Sequence, residues 1–596
     1  MTGAKANQQA ALQDWVRALE LTAPIEANAA RTLPCLIDTL GERFGDAPAL
    51  LSSGQRLSYR GLAQQANRWA RWALGVDLRQ GDAVCLMLPN GPEYMAIWLG
   101  ITRVGGVVAL INTNLAGPAL AHCIMAASPR HVIVAAELCP ALGSARPHLA
   151  PDIQFWSRGA NADGLPCVDR DIEQLSGDPL SPSQDRQVTL TDRALLIYTS
   201  GTTGLPKAAC VSHARVMQWS HWFAGMMNTQ PGDRMYNCLP MYHAIGGVVA
   251  TGAVLVAGGS VVIAPRFSAS RFWDEIVEWD CTLFQYIGEL CRYLVNSPPV
   301  ASETRHRLRL ACGNGLAAGV WPAFEQRFHI PRILEYYAAT EANFSLYNCE
   351  GQPGAIGRIP PFLAHRFPVA LVRFDVAAGV ALRDDDGLCI RCVADEAGEA
   401  ISKIMGQGAG GGRFEGYTDR AASDAKVLRD VFAKGDAWYR TGDLMRRDAK
   451  GFFSFVERIG DTFRWKGENV SAAEVTAVIM ECPGVNDAVV YGVAIAGADG
   501  RAGMAAIVDG DRFDLRHFCR HVSERLPAYA RPVLVRLRAG IASTSTFRPV
   551  KHTLAVEGFD PLQVSDPLYV LDPGRQTYMR LDATLHAQLM AGDMRL

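Results

Sequence analysis

The chain has 596 residues, of which 49% are hydrophobic and 20% are charged, and its formal net charge is −2. This length exceeds what a single hydrophobic core usually supports, so it predicts two or more domains. The nearly balanced charge argues against a nucleic-acid-binding protein, which would need a strongly basic face, and we therefore predict no nucleic-acid partner.

The first 34 residues predict an N-terminal extension that lacks an apolar segment long enough for a secretory signal peptide. Within it, Trp15, Val16, Leu19 and Leu21 could form either a short amphipathic surface that contacts a membrane or one face of a helix packed on the protein body. The 15 cysteines of the chain have no paired spacing, which favours free or buried thiols in a reducing compartment. We therefore expect a cytoplasmic protein, and peripheral contact with the inner face of a membrane stays open.

Apolar strand-like runs alternate with longer amphipathic segments through most of the first 440 residues, which predicts an α/β fold. Ala83–Leu88 and Val132–Ala135 are two of the predicted strands. The weakly polar run from Gly246 to Ala264 approaches membrane-spanning length, but glycines and hydroxyl residues interrupt it. We predict that it forms a buried helix and a strand, with a turn at Gly259–Ser260.

A predicted phosphate-binding loop follows the strand-like run Ala194–Ile197 and ends at Lys207. Small and hydroxylated residues let a backbone approach an anion and donate hydrogen bonds to it, and lysine adds a point charge. The candidate phosphate ligands before the lysine are Tyr198, Thr199, Ser200, Gly201, Thr202, Thr203 and Gly204. Pro206 precedes the lysine and Ala208 follows it, so this is not a Walker loop, which needs a hydroxyl after its lysine. A flexible surface loop is the alternative interpretation.

The segment Gly313–Ala318 reads G-x-G-x-x-A after a strand-like run, and Glu335 follows twenty positions beyond Gly315. This spacing satisfies a dinucleotide-binding fingerprint. Such a match is weak alone, and the second predicted strand runs directly into the polar pair Thr340–Glu341. A nicotinamide or flavin site is therefore kept only as an alternative.

Further along the chain, Thr441–Asp443 predicts a turn, Asp448–Gly451 a hairpin tip and Phe452–Val456 the returning strand. A compact region of about 135 residues, close to the usual domain size, begins after Asp461.

Several ordered blocks resemble one family. The run YTSGTTGLPK resembles the signature of the adenylate-forming superfamily, and the blocks LPMYHAIGG, FSASRFWDE, YIGELCRYL, GDTFRWKGENVS and EGFDP resemble the very-long-chain acyl-CoA synthetases, also called fatty acid transport proteins. The resemblance extends over roughly residues 35 to 590. It implies a large multi-subdomain AMP-binding domain at residues 35–458 and a small mobile α+β domain at residues 459–596, hinged at Ile459–Gly460.

The resemblance also implies roles at the nucleotide. Lys207 and the loop hydroxyls would bind the β- and γ-phosphates, Thr340 the α-phosphate, and Glu341 the Mg²⁺ that bridges ATP phosphates, since Mg²⁺ prefers hard carboxylate oxygens. The remaining nucleotide contacts that it implies are Tyr337 and the turn Gly313, Asn314 and Gly315 at the adenine, and Asp443 and Arg458 at the ribose. Ala338 and Ala342 stand where the family usually has glycine.

For the other substrates, the resemblance assigns an acyl pocket and a coenzyme A channel. The residues expected at the acyl pocket are His243, Gly246, Gly247, Tyr286 and Gly288, and those expected at the channel are Trp465, Lys466 and Gly467. Glycines open a tunnel because they lack side chains, but close helix packing explains them as well. His243 could equally gate the tunnel or satisfy a buried hydrogen bond.

One departure concerns the region where relatives carry T-G-T-F-K, whose lysine reaches the α-phosphate and drives adenylation. This chain has Thr544–Arg548 there, with Lys551 three positions later. Arginine keeps the charge but presents a planar fork in place of a compact ammonium. Three outcomes stay open: Arg548 performs the task, Lys551 substitutes for it, or adenylation is impaired.

Together these observations predict a fatty acid–CoA ligase that uses ATP, Mg²⁺ and coenzyme A to convert a long- or very-long-chain fatty acid first to acyl-AMP and then to a thioester. Two alternatives remain: an adenylation enzyme that loads a carrier protein, and a fatty-acid or acyl-adenylate binding protein with weak ligase activity. The sequence does not fix the acyl chain length, and a homodimer stays open.

Overall fold

The computed structural model describes residues 2–199, 206–342, 344–376, 378–405, 414–465, 468–496, 500–544, 549–572, 574–591 and 593–594. The chain divides into two compact units, the first formed by Met1–Pro368, Ser402–Leu428 and Ala437–Tyr439 and the second by Val369–Ile401, Arg429–Asp436 and Arg440–Leu596. The second unit thus includes much of the segment between residues 369 and 458, ahead of the predicted boundary. The hinge at Ile459–Gly460 stays a prediction.

The first unit is a mixed α/β structure, as the alternating pattern predicts. Its strands are β1 (Pro48–Leu51), β2 (Arg56–Ser58), β3 (Ala83–Met87), β4 (Val107–Leu110), β5 (Pro129–Ala135), β6 (Gln154–Arg158), β7 (Arg193–Thr199), β8 (Lys207–Ser212), β9 (Arg234–Asn237), β10 (Ser260–Ile263), β11 (Leu283–Ile287), β12 (Leu310–Asn314), β13 (Ile333–Ala338) and β14 (Ser345–Asn348). Its helices are α1 (Thr2–Thr22), α2 (Leu33–Phe44), α3 (Tyr59–Gly75), α4 (Pro92–Arg103), α5 (Gly117–Ala127), α6 (Cys139–Ala145), α7 (Asp169–Gln174), α8 (His213–Met227), α9 (Ala250–Leu255), α10 (Phe272–Glu278), α11 (Gly288–Asn296), α12 (Trp321–Phe328) and, from the later segment, α13 (Arg420–Asp424).

These strands form two sheets that are parallel except at their edges. One has the order β14-β13-β12-β11-β9-β10-β1-β2 and the other the order β6-β5-β3-β4-β7-β8. The six inner strands of the first sheet, from β13 to β1, run parallel to one another, and the edge strands β14 and β2 pair antiparallel with β13 and β1. The carboxyl ends of β11, β12 and β13 therefore meet at one edge, where open α/β sheets commonly bind ligands.

Helix α1 is an integral part of the first unit. Trp15 is 2% exposed and makes edge-on ring contacts with Trp222, Tyr347 and Phe367, at centroid distances of 5.5 to 5.7 Å. Leu19 packs against the same core, whereas Val16 and Leu21 are exposed. Of the two interpretations of the N-terminal segment, the structure therefore supports the helix packed on the protein body.

The run from Gly246 to Ala264 forms a π-helical turn, helix α9 and strand β10, as predicted. Within the described part of the chain, no helix has both the length and the apolar character needed to cross a bilayer. All 15 cysteines are free thiols, and most of them are buried.

The second unit contains strands β15 (Val369–Val372), β16 (Phe374–Asp375), β17 (Val380–Ala381), β18 (Gly398–Lys403), β19 (Val427–Arg429), β20 (Ala437–Arg447), β21 (Phe453–Arg458), β22 (Phe463–Trp465), β23 (Glu468–Val470), β24 (Val485–Val493), β25 (Ala502–Asp509), β26 (Leu534–Arg538), β27 (Leu568–Asp572) and β28 (Thr577–Arg580), of which β18 ends in a segment of the first unit and β19 and β20 begin in segments of the first unit. Its helices are α14 (Ala472–Met480), α15 (Leu515–Arg525), α16 (Lys551–Glu557) and α17 (Ala583–Ala591). The last five strands form one sheet in chain order, which packs with α14 and α15 around a separate hydrophobic core.

The turn predicted at Thr441–Asp443 is wrong, because these residues lie inside strand β20. Gly442 adopts a left-handed φ of +77°, and the Thr441 hydroxyl accepts a hydrogen bond from the backbone N–H of Asp443 at 3.1 Å. The strand thus continues through a local irregularity at Gly442, and the chain does not reverse there. The hairpin tip at Asp448–Gly451 and the returning strand β21 are confirmed.

Candidate active site

The candidate site of the first unit lies where β11, β12 and β13 end. The parallel register aligns Tyr286 with Gly313 and Gly313 with Glu335. The Tyr286 ring lies across Gly313, where a side chain would place its Cβ 2.4 Å from a ring carbon. Its hydroxyl then reaches the next strand and donates a 2.6 Å hydrogen bond to Glu335. Gly313 is therefore required for close approach of the tyrosine.

Glu335 faces inward, whereas a dinucleotide-binding acid would face a ribose. Its side chain is 2% exposed and also accepts hydrogen bonds from the backbone N–H groups of Gly315 and, at 3.2 Å, Leu316. These bonds fix the turn after β12, in which Gly315 has a left-handed φ of +80°. Sequence reasoning noticed Glu335 only through its spacing and missed this positioning of the predicted adenine turn.

Replacing Glu335 by glutamine should change how stability depends on pH. Burial raises the pKa of the Glu335 carboxyl to about 8 from its ordinary value of 4.5. The folded protein then binds an extra proton between these values, so this group makes stability fall as pH rises from about 5 to 8, by at most about 1.4 kcal/mol per pH unit. Glutamine keeps the shape without titrating, and the melting temperature of Glu335→Gln relative to the wild type should rise across this range. Parallel melting curves for the two proteins against pH would contradict the assignment.

Glu341, the predicted Mg²⁺ ligand, is 6% exposed and lies just beyond β13. Its Oε1 accepts hydrogen bonds from the hydroxyls of Tyr417 at 2.6 Å and Tyr439 at 2.8 Å. Burial raises the pKa of the Tyr439 hydroxyl well above its ordinary value, so this group remains a proton donor at neutral pH. Both hydroxyls bind the same oxygen, so neither of them occupies Oε2.

The donor set fits Mg²⁺ bound mainly through phosphates. Within the described ranges, no group of three or more His, Cys, Asp or Glu side chains is placed to hold a metal ion. Mg²⁺ is commonly held by one or two carboxylates together with substrate phosphates, and Glu341 supplies one oriented carboxylate oxygen.

Arg215 and Glu415 support the Thr340–Glu341 pair. Arg215 is 2% exposed and donates to the Thr340 carbonyl at 2.7 Å, and its guanidinium lies 3.5 Å from Glu415. Glu415 in turn accepts from the backbone N–H and the hydroxyl of Ser212 at 2.6 and 2.7 Å. Arg215, Glu415 and Tyr417 were missed from sequence and Tyr439 was given no role, because each meets the site only after folding.

Lys207 opens strand β8, opposite Thr199 of β7. The Tyr198 hydroxyl donates to the Cys123 carbonyl at 2.5 Å, so this side chain is buried in the core with its hydroxyl bonded to the backbone. Ser200, Gly201, Thr202, Thr203 and Gly204 lie outside the described residues, as do Lys466, Gly467 and Arg548. Tyr337 is the next-to-last residue of β13 and its ring lies against that of Phe344, and Ala338, which ends the strand, is exposed.

The glycines expected at the acyl pocket pack closely against backbone. A Cβ on Gly246 would lie 2.5 Å from the Pro240 carbonyl oxygen, on Gly247 2.1 Å from that of Met241, and on Gly288 1.8 Å from that of Gly315. This supports the close-packing interpretation of these three positions. His243 is half-buried with its ring 4.7 Å from that of Tyr242, and a role for it or for Tyr286 in acyl binding stays a prediction.

In the second unit, the two predicted ribose contacts are neighbours. Asp443 is 2% exposed, faces Arg458 across β20 and β21, and accepts a hydrogen bond from its guanidinium at 3.2 Å. Trp465 is 3% exposed in β22. The Lys551 ammonium forms a 3.1 Å ion pair with Asp461, the residue that follows the predicted hinge glycine. This ion pair gives the ammonium a structural role.

Two family sequence models match parts of this chain. The sequence model of the AMP-binding enzyme family matches residues 37–367, and that of the AMP-binding enzyme C-terminal domain matches residues 474–548. Long-chain fatty acid transport protein 1 of Mus musculus is 39% identical over 571 residues, covering 95% of this chain and 88% of the relative. Long-chain fatty acid transport protein 3 of Homo sapiens is 39% identical over 525 residues, covering 87% and 76%.

Solved structures share the fold. The anthranilate CoA ligase AuaEII in complex with anthranoyl-AMP has a TM-score of 0.75 at 21% identity, covering 88% of this chain and 97% of its own. ATP-bound MatB from Rhodopseudomonas palustris has a TM-score of 0.72 at 22% identity, covering 88% and 98%. The Mycobacterium tuberculosis fatty acyl CoA synthetase has a TM-score of 0.60 at 21% identity, covering 88% and 98%.

Proposed function

This chain belongs to the AMP-binding enzyme family, among relatives named long-chain fatty acid transport proteins, and from that premise we propose that it is an AMP-forming fatty acid–CoA ligase acting on long- or very-long-chain acids. The observation that carries the proposal is the buried Glu341 carboxylate, held by two tyrosine hydroxyls at the carboxyl edge of a parallel sheet. This edge is a ligand-binding position in open α/β folds, and an oriented hard oxygen there suits a nucleotide–Mg²⁺ complex.

The reaction has two displacements. In the first, a carboxylate oxygen of the fatty acid attacks the α-phosphorus of ATP, a new P–O bond forms, and the bond to the leaving pyrophosphate breaks. In the second, the coenzyme A sulfur attacks the carbonyl carbon of acyl-AMP, the bond from that carbon to the AMP oxygen breaks, and the thiol proton passes to solvent. Neither step requires a nucleophile from the protein.

The side chains of this chain then bind and orient the nucleotide. Lys207 places positive charge at the β- and γ-phosphates, and Thr340 donates to the α-phosphate. Mg²⁺ held by Glu341 would supply positive charge near the phosphate oxygens. The pair Asp443 and Arg458 offers a carboxylate that can accept hydrogen bonds from both ribose hydroxyls.

Two alternatives keep a specific motivation. Arg548 in place of the family lysine, and the alanines at positions 338 and 342, favour a binding protein with weak ligase activity. The adenylation chemistry alone is equally compatible with a carrier-protein acceptor in place of coenzyme A.

The proposal is tested by measuring pyrophosphate release from ATP and Mg²⁺ with saturated fatty acids from medium to very long chain, with and without coenzyme A. We expect acid-dependent pyrophosphate release and a coenzyme A-dependent acyl thioester. Pyrophosphate release followed by thioester formation only on a carrier protein would favour the adenylation enzyme that loads such a carrier. If both the wild type and an Arg548→Lys variant bound fatty acid without releasing pyrophosphate, the proposed ligase function would be overturned.

A further inference from the structure

Tyr417 lies between two side chains to which the proposed function gives separate tasks: its hydroxyl bonds to Glu341, and the Lys207 ammonium lies near its ring. We propose that Tyr417 is a positioning residue that sets the spacing between Lys207, at the phosphate loop, and Glu341, at the metal end of the nucleotide. The proposal rests on the proposed function for the roles of those two residues. It goes beyond that function because it assigns one side chain the task of coupling the two ends of the polyphosphate.

The backbone around Tyr417 is fixed to the strand that begins with Lys207. The N–H of Cys210 donates to the Gly416 carbonyl and the N–H of Thr418 donates to the Ala208 carbonyl, both at 2.9 Å. Tyr417 and Ala209 form an isolated antiparallel bridge. Lys207 precedes Ala209 by two positions, so its side chain leaves the strand on the same face, diagonally opposite Tyr417. The spacing between the backbones at Tyr417 and Lys207 is therefore set by backbone hydrogen bonds.

The hydroxyl and the ring of Tyr417 interact with different side chains. The hydroxyl donates to Glu341 Oε1 at 2.6 Å, and the Lys207 ammonium lies 5.9 Å from the centroid of the ring. Tyr417 is 8% exposed and packs with Ala209 and Ala422. A hydrogen bond to a charged acceptor and a cation near an aromatic ring are both directional, and tyrosine has only two side-chain torsions to order. A shift of either partner is thus opposed by the same ring.

Tyr439 provides an internal control. Its hydroxyl donates to the same Glu341 oxygen at 2.8 Å, but the ammonium near its ring is that of Lys426, at 5.7 Å from the centroid. Loss of either hydroxyl should therefore affect Glu341 in a similar way. Loss of the ring should affect Lys207 only at position 417.

The test compares Tyr417→Phe, Tyr417→Leu, Tyr439→Phe and Tyr439→Leu in the full chain. Calorimetric titration with ATP, in the presence and absence of Mg²⁺ and without fatty acid or coenzyme A, measures binding separately from turnover. Mg²⁺ should increase the ATP affinity of each Phe variant about five- to tenfold less than it increases the affinity of the wild type. Without Mg²⁺, the ATP affinity of each Phe variant should stay within about twofold of the wild-type affinity. Tyr417→Leu should also weaken metal-free ATP binding by about two- to fivefold, and Tyr439→Leu should not.

Equal Mg²⁺ responses in Tyr417→Phe and the wild type would overturn the link to Glu341. Equal metal-free affinities for Tyr417→Leu and Tyr439→Leu would overturn the link to Lys207, and the Phe variant keeps the first test valid if the Leu variant does not fold. Pyrophosphate release by the wild type with unchanged binding in all four variants would refute the inference and leave the ligase intact. A wild type that binds no ATP would refute both.

Discussion

Glu341→Gln should lower the rate of fatty-acid-dependent pyrophosphate release by about two to three orders of magnitude. Glutamine has the size of glutamate, and its carbonyl oxygen can still accept the hydroxyls of Tyr417 and Tyr439. It lacks the negative charge that a hard cation requires, so the loss falls on metal binding and not on the packing of the site. The rate is measured at saturating fatty acid with Mg²⁺ varied over a wide range.

A matched control is Glu325→Gln, which removes one negative charge from an exposed position on helix α12 of the same unit. This variant should keep the wild-type rate and melting temperature. If Glu341→Gln retained more than about a tenth of the wild-type rate at all Mg²⁺ concentrations, Glu341 would not be the metal ligand.

Arg548→Ala should also lower pyrophosphate release by about two to three orders of magnitude if Arg548 supplies the cation at the α-phosphate that the family resemblance implies. Arg548→Lys should match or exceed the wild type, since it restores the compact ammonium that the family resemblance implies at this position. Lys551→Ala should change the rate by no more than about threefold. The Lys551–Asp461 pair is partly exposed, with 23% and 41% of the two side chains accessible, and such pairs contribute little to stability.

Thioester formation from acyl-AMP distinguishes a loss of adenylation from a loss of folding in the Arg548 and Lys551 variants. With synthetic acyl-AMP and coenzyme A supplied, Arg548→Ala should form thioester at close to the wild-type rate. The assignment of the cation would move to Lys551 if Lys551→Ala abolished pyrophosphate release while Arg548→Ala did not.

Local patterns predicted most of the fold. The strands at Ala83, Val132 and Ala194 and the helix–strand pair after Gly246 follow from hydrophobic runs bounded by turn residues, and each is present. The turn at Thr441–Asp443 failed because small and polar residues stop a strand only when nothing else satisfies the backbone. Here the Thr441 hydroxyl and a neighbouring strand do so.

The candidate site was predicted where its chemistry is contiguous in sequence and missed where it is assembled by folding. Lys207 and the Thr340–Glu341 pair are recognisable from adjacent residues. Tyr417 reaches Glu341 from 76 positions away and Tyr439 from 98, so no local spacing could reveal them. Glycines such as Gly246 were ambiguous for another reason, because an absent side chain serves an open tunnel and a tight backbone contact equally well.

The docking of Trp15 on the first unit has a practical consequence for the boundaries of any shortened form of this protein. The family sequence model begins at residue 37, which would suggest that everything before it is dispensable. Trimming there would strip the cover from Trp222, Tyr347 and Phe367 and leave a solvent-facing aromatic patch. Uncovered patches of this kind drive aggregation, so a soluble truncation must keep helix α1.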